Sequence, residues 1–199
     1  MAATHGLSKL GAVNRMLWWA NILSVSALDT GNPSDAGIAE EALDQVTVAC
    51  LTAGFAFNVQ RCKSYTPNGS FQIVLTSTVL AVRGAGSYAH RQFDAINGFV
   101  FDMDRYTNVF PDTTPVTLDV ISNTGTWDDL PAAVKEYIAW NAVRKWQQTH
   151  GGDPQRDAFI IEHIEEAART ARPIRVLPGD EPMATQPFVP RMQQRQQQQ

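Results

Sequence analysis

The chain has 199 residues, 44% of them hydrophobic and 18% charged, with a formal net charge of −4. That composition supports one substantial core or two small ones, and the acidic balance argues against a nucleic-acid grip built on clustered Lys and Arg. Cys50 and Cys62 match no metal-ligand spacing and read as two reduced thiols of an intracellular protein.

The first periodic stretch is Leu10, Val13, Leu17 and Ala20, whose three- and four-residue steps predict a helix that fades near Ile22. Trp18 and Trp19 are neighbours in sequence and cannot share a helical face, so one of them meets another element or chain. Met16–Ala20 is too short an apolar run to cross a bilayer, which needs ~20 apolar residues. The start Met1-Ala2-Ala3-Thr4-His5 lacks the basic-then-apolar order of a signal peptide. A soluble protein made in a cytoplasm, with no membrane association, is therefore expected. A second helix follows the turn residues Thr30-Gly31-Asn32-Pro33. Asn32 is placed to cap it, Pro33 suits its first turn and Asp35 suits its positive end. Ala39, Leu43, Val46, Cys50 and Ala53 form its apolar stripe, which Ala36, Ala42 and Ala49 narrow, and Gly54 stops it.

Strand patterns take over at once. Phe55, Phe57 and Val59 alternate with Ala56, Asn58 and Gln60. After the turn Pro67-Asn68-Gly69, Phe71, Ile73 and Leu75 alternate again, and Val79–Val82 is a short apolar run ending at the loop Arg83-Gly84-Ala85-Gly86. Asn97-Gly98 is a strong hairpin signal, because both residues accept the positive φ of a type I′ turn; it joins Phe93–Ile96 to Phe99-Val100-Phe101. Val116, Leu118 and Val120 alternate in a last strand.

Leu130-Pro131 opens a third helix with Val134, Ile138, Ala142 and Trp146 at four-residue steps, flanked by Tyr137 and Trp140 and ended by Gly151-Gly152. Asp153-Pro154 supplies the cap and first-turn proline of a fourth. Ala158, Ile161, Ile164 and Ala168 are expected on its inner face, with Glu162, Glu165, Glu166 and Arg169 in water and a stop at Arg172-Pro173. From Pro173 the chain turns Pro- and Gln-rich, and such a segment by itself buries too little apolar surface to offset its chain entropy. The expected fold class is α+β: an antiparallel helical bundle from both ends of the chain, a central antiparallel β-meander or small barrel, and an extended C-terminal tail. The expected boundaries are 1–54 and 128–172 for the helical domain, 55–127 for the β domain and 173–199 for the tail.

Catalytic signatures are sparse. His5, His90, His150 and His163 form no His-Glu-x-x-His pair, and no phosphate loop or serine elbow occurs. His163 and Glu166 are three residues apart, but a solvated helix face explains them as well. Asp102-Met103-Asp104 resembles an acidic metal pair, yet no calcium-loop glycine or closing Glu continues it. Trp18 or Trp19, Tyr65 and Tyr106 are aromatics placed where a partner reaches them. A chain that folds well and carries no evident chemistry points to an assembly component with no cofactor.

Three stretches sharpen this: Ala12-Val13-Asn14-Arg15-Met16-Leu17; the Glu40–Thr52 helix running into Gly54-Phe55-Ala56-Phe57-Asn58; and Asp128-Asp129-Leu130-Pro131 with Tyr137-Ile138, Ala142-x-Arg144-Lys145-Trp146 and Gly151-x-Asp153-Pro154. Together they resemble the tail tubular protein A family, the head-to-tail adaptors of short-tailed bacteriophages (podoviruses). Asn97-Gly98-Phe99-Val100-Phe101-Asp102 is similar to that family's central hairpin, and the resemblance covers roughly residues 10–170. It departs at Trp18-Trp19-Ala20-Asn21, where small and polar residues are usual, and in the Pro/Gln-rich tail.

The resemblance implies a homo-oligomeric ring of twelve copies at the head-tail junction of the virion, assembled in the host cytoplasm. The ring sits between the portal protein and a tail nozzle protein similar to tail tubular protein B, with tail fibres near by. Double-stranded DNA transits its channel on ejection without specific binding. On that reading Phe188, Val189, Arg191, Met192 and Arg195 are candidates for the portal contact, and Tyr65, Asn68, Tyr106 and Phe110 for the nozzle and fibre contact. Asp128, Asp129, Asp153 and Asp157 are candidates for the channel lining. The alternatives are another phage neck or head-completion protein, or a small metal-dependent hydrolase using Asp102 and Asp104 with His90.

Overall fold

Ser8 opens helix α1 (Lys9–Trp19) by accepting a hydrogen bond from the Gly11 amide. The computed structural model describes residues 6–28, 34–123, 125–150 and 152–174. Helix α1 ends earlier than its periodicity predicts, at the Ala20 cap, because Asn21 turns the chain at φ 59°. Asn14 then holds the following segment with two bonds, its amide nitrogen donating to the Val25 carbonyl and its oxygen accepting from the Val25 amide. Ala12, Val13, Met16 and Leu17 are buried, whereas Leu10 is only half-buried.

Helix α2 (Asp35–Thr52) is capped by Ser34, which accepts from the Gly37 amide. Asn32 and Pro33, expected in the cap and first turn, lie outside the described residues, and Ser34 does the capping. Ala36, Ala39, Leu43 and Val46 are buried as the stripe predicts, together with Glu40, whose carboxylate receives the Lys9 ammonium at 2.8 Å. Gly54 ends the helix at φ 87°, a left-handed conformation that glycine accepts without steric cost.

The strand expected from Phe55 does not begin there. Phe55–Asn58 is a turn, built by an Asn58 side chain that is only 1% exposed. Its oxygen accepts from the Phe55 amide at 2.6 Å and its nitrogen donates to the Leu51 carbonyl at 3.0 Å. The alternating rings of Phe55 and Phe57 thus stack on each other against the helical core instead of projecting from a sheet. Asn58→Ala leaves a buried N–H and a buried carbonyl unpaired, with an expected loss of about 3 kcal/mol in denaturant unfolding.

The first strand is β1 (Val59–Tyr65), followed by β2 (Val79–Gly84), the hairpin β3 (Phe93–Ile96) and β4 (Phe99–Asp102), and β5 (Val116–Ser122). The hairpin turns at Asn97 (φ 53°) and Gly98 (φ 78°), as the sequence predicts. The expected meander is replaced by an antiparallel sheet of order β1-β5-β2 beside the separate β3-β4 pair. The physical reason lies in the last strand. β5 buries Val116, Leu118, Val120 and Ile121 and so needs neighbours on both edges, whereas β1 exposes Gln60 to Ser64 and fits only an edge. The Phe71–Leu75 alternation survives as an irregular segment along β4: the Leu75 amide donates to the Gly98 carbonyl and the Val100 amide to the Ile73 carbonyl. Ile73 and Leu75 are buried there and Phe71 is exposed.

Helices α3 (Ala132–Thr149) and α4 (Pro154–Ala171) return to the helical core. Val134, Ile138, Ala142 and Trp146 are buried on α3 as expected. Asp153 caps α4 through the Gln155 amide, with Pro154 in the first turn. The inner face of α4 is Ile160, Ala167 and Ala171 with Ile164, while Ala158 is exposed and Ile161 and Ala168 are half-buried. The stripe is rotated by one residue, about 100°, because Ile160 and Ile161 are adjacent and only packing against α3 chooses between them. Regular structure continues past the end of α4. A 3-10 turn, Arg172–Ile174, packs Ile174 on the helical core, and the Ala56 amide donates to the Ile174 carbonyl at 2.6 Å. A second apolar cluster, containing Ile73, Val82, Phe93, Val100, Phe110 and Leu118, lies under the strands.

Candidate interaction surfaces

On the helical side, four aromatic side chains and a histidine adjoin one another. Trp18 is 65% exposed and meets Trp19 edge-on at 5.3 Å; Trp19 in turn touches Trp140 at 6.0 Å and Phe159 at 5.9 Å. His163 stacks flat on Trp140 at 4.2 Å and meets Phe159 edge-on at 4.7 Å. Arg15 lies over Trp140, held by a two-pronged pair with Glu136, and Arg156 donates to the Trp19 carbonyl. Phe159 is 50% exposed and Leu23 is 89% exposed. The contiguous aromatic surface of Trp18, Trp19, Trp140 and Phe159 marks a contact site. Trp19 is thus the tryptophan that meets other elements, and Trp18 the one left for a partner. Phe159 and Leu23 escaped the sequence reading; the available signal was that Phe159 stands off the apolar stripe of α4.

On the β side the display element is the loop after β4. Asp102 is 2% exposed and pairs with Arg91, while its other oxygen accepts from the Asp104 and Arg105 amides at 3.1 and 3.2 Å. Asp104 accepts from the Gln92 amide. These bonds hold Tyr106 at φ 56°, edge-on to Phe101 at 5.6 Å and 82% exposed. Met103, Phe71, Val74 and Val109 add exposed apolar surface to this side.

The other sequence candidates fare unevenly. Asn68 is exposed, and its side-chain oxygen accepts from the Ser70 and Gln72 amides, so it shapes its own turn. Tyr65 is half-buried at the end of β1, under the Lys63 ammonium. Phe110 is 5% exposed and stacked on Phe93 in the β core, which withdraws it from any contact surface. Phe188, Val189, Arg191, Met192 and Arg195 lie outside the described residues.

All four candidate lumen carboxylates lie at the exposed or half-exposed ends of helices, and three have local work. Asp153 caps α4, Asp157 takes a two-pronged pair from Arg144, and Asp129 accepts from the Thr126 amide and hydroxyl. Asp128 is exposed. The Thr126 amide, then its hydroxyl, holds the Asp129 carboxyl below the ordinary aspartate range. A depressed folded value means that the stabilisation is present above the ordinary aspartate pKa and is lost as pH falls through the lowered one. An NMR titration is expected to show Asp129 ionising at a lower pH than a free aspartate, and Thr126→Val, which removes the hydroxyl but keeps the amide, to bring it only part of the way back up.

The metal reading meets a different geometry. Asp102 and Asp104 spend their oxygens on Arg91 and on backbone amides, and His163 is occupied by Trp140 and Phe159. Among the described residues no group of three or more His, Cys, Asp or Glu side chains is placed to hold a metal ion, and no helix is long and apolar enough to cross a membrane. Cys50 is half-buried and Cys62 exposed.

Compared with known proteins, the chain matches the family model described as tail tubular protein over residues 10–174. No curated protein matches it.

Proposed function

Because the chain belongs to the tail tubular protein family, whose members are structural components of the phage tail, we propose that it is the head-to-tail adaptor. In this reading twelve copies form a ring whose helical part faces the portal and whose β part faces the nozzle protein and fibres. The genome passes through the channel on ejection without being held. Carrying this reading is the presence of two separate exposed apolar surfaces on one small chain. One gathers Trp18 and Phe159 on the helices; the other gathers Met103 and Tyr106 on the β loop. A protein that joins two partners needs two such surfaces, and each contact is multiplied around a ring by effective concentration. No catalysis is needed for that role. Portal contacts are assigned to the segment from Phe188 to Arg195, and Asp128, Asp129, Asp153 and Asp157 to the channel side, where acidic groups repel the DNA phosphates.

The test is to purify the chain with its portal and nozzle proteins and weigh the complexes by native mass spectrometry. Met103→Ser with Tyr106→Ser is expected to weaken nozzle attachment about tenfold or more, as for loss of interface anchors, and to leave portal binding intact. Loss of portal binding with retention of the nozzle would reverse the orientation, and a chain that joined neither would end the adaptor reading.

A further inference from the structure

Helix α4 packs on α3 and leaves its opposite side open. On that side Phe159, Glu162 and Glu166 follow at steps of three and four and form one straight row, about 10 Å long. Glu165 stands beside the row, and all four side chains are exposed. At its Phe159 end the row runs into the aromatic surface, because Phe159 touches Trp19 and Trp19 touches Trp18. The charges around it do not cancel. Arg15 is taken by Glu136, and Arg156 lies among the Trp19 carbonyl, Asn21 and Asp153. Glu162, Glu165 and Glu166 form no ion pair with another described residue. Only Arg169, whose Nε donates to the Glu165 backbone carbonyl, stands with them on the outer side of α4, so that side is acidic.

We infer that this face docks a basic amphipathic helix of a partner protein, with an apolar side chain seated on Trp18 and Phe159 and Lys or Arg side chains on Glu162 and Glu166. Spacing and charge select that occupant. The row rises by about 4.5 Å and then about 6 Å. A helix laid along α4 presents its side chains at the same rise, whereas same-face residues of a strand stand about 6.6 Å apart and fall out of step. Unpaired carboxylates attract a basic partner and repel an acidic one. A second copy offering its own α4 would set glutamates against glutamates. This inference rests on the reading of the aromatic surface as one docking face of an adaptor, and it adds the chemistry of what covers that face.

The probe is a fluorescent helical peptide of roughly 18 residues, long enough to hold its helix, with Leu and Arg along one side at these spacings. Its twin carries Glu in place of Arg. In anisotropy titrations with the full chain the Arg peptide is expected to bind at least tenfold more tightly than the twin, by a margin that shrinks as salt rises. Glu162→Lys with Glu166→Lys should reverse the preference. Trp18→Ser with Phe159→Ser should weaken the Arg peptide about tenfold, with the melting temperature unchanged because all these side chains are exposed. Equal binding of the two peptides, or a preference that the lysine substitutions leave in place, overturns the inference. So does self-association of the chain that Trp18→Ser with Phe159→Ser abolishes while neither peptide binds, which would give the face to a second copy. A chain that joins portal to nozzle and ignores both peptides would end this inference and leave the adaptor reading standing. One that takes the Arg peptide and joins neither protein would do the reverse.

Discussion

Removal of residues 175–199 is expected to abolish stable attachment to a portal ring while changing the melting temperature of the subunit by no more than about 4 °C, the shift that ~1 kcal/mol produces in a chain of this size. The apolar groups of both cores lie before Arg175, so the truncated chain keeps them. What it loses is a segment with Phe188, Val189 and Met192 as apolar anchors and Arg191 and Arg195 as charge partners. Each anchor contributes at most about 1.5–3 kcal/mol before ordering costs. One copy therefore holds weakly and a ring of copies holds firmly, so losing the anchors from every copy has an all-or-none effect. The cut must fall after Ile174. Truncation after Arg172 also removes the Ile174 side chain from the helical core and the acceptor for the Ala56 amide, and is expected to lower the melting temperature by a further few degrees, about 3–6 °C. Sedimentation with purified portal, alongside thermal scans of both truncations, checks the pair of outcomes. Full-strength portal binding by the shorter chain would make the tail a passenger.

Asp102→Ala is expected to cost about 3–5 kcal/mol, because it leaves the Arg91 guanidinium largely buried with no counter-charge. Tyr88 and Phe93 pack against that guanidinium and offer it only ring faces. The same substitution strips the Asp104 and Arg105 amides of their acceptor, so the loop that displays Tyr106 should loosen and nozzle attachment should fall with it. Arg91→Met together with Asp102→Leu removes both charges and should recover much of the stability without recovering the loop. Denaturant unfolding of the three variants separates these terms. A hydrolase built on Asp102 and Asp104 behaves otherwise: a divalent cation would raise its melting temperature and Asp102→Asn would remove that rise. For the adaptor no such rise is expected.

Local chemistry and single-element periodicity made much of this legible in the sequence. The Asn97-Gly98 hairpin, the Asp153-Pro154 start of α4 and the α3 stripe from Val134 to Trp146 depend on interactions within a few residues, and each stands where its pattern places it. The pattern offered Trp18 or Trp19, with Tyr65 and Tyr106, as outward aromatics, and of these Trp18 and Tyr106 are exposed.

The rest was decided by contacts between residues distant in the chain. Alternation at Phe55 and Phe57 fits a strand equally well, and only the burial of Asn58 against the Leu51 carbonyl makes it a turn. Phe110 sits in an open-looking loop sequence, but Phe93 on another strand claims its ring. Ile160 and Ile161 offer two nearly equal inner faces for α4, and the packing of α3 picks one. Strand order was likewise beyond the pattern of any one strand, since β5 lies in the middle because both its edges must be paired while β1 tolerates an open one. The sequence by itself determined the four helices, the Asn97-Gly98 hairpin and the last strand, because capping, turn chemistry and side-chain period act over a few residues. Only the tertiary structure decided which faces turn inward and which polar groups become partners, because burial and the pairing it demands are properties of segments brought together from far apart.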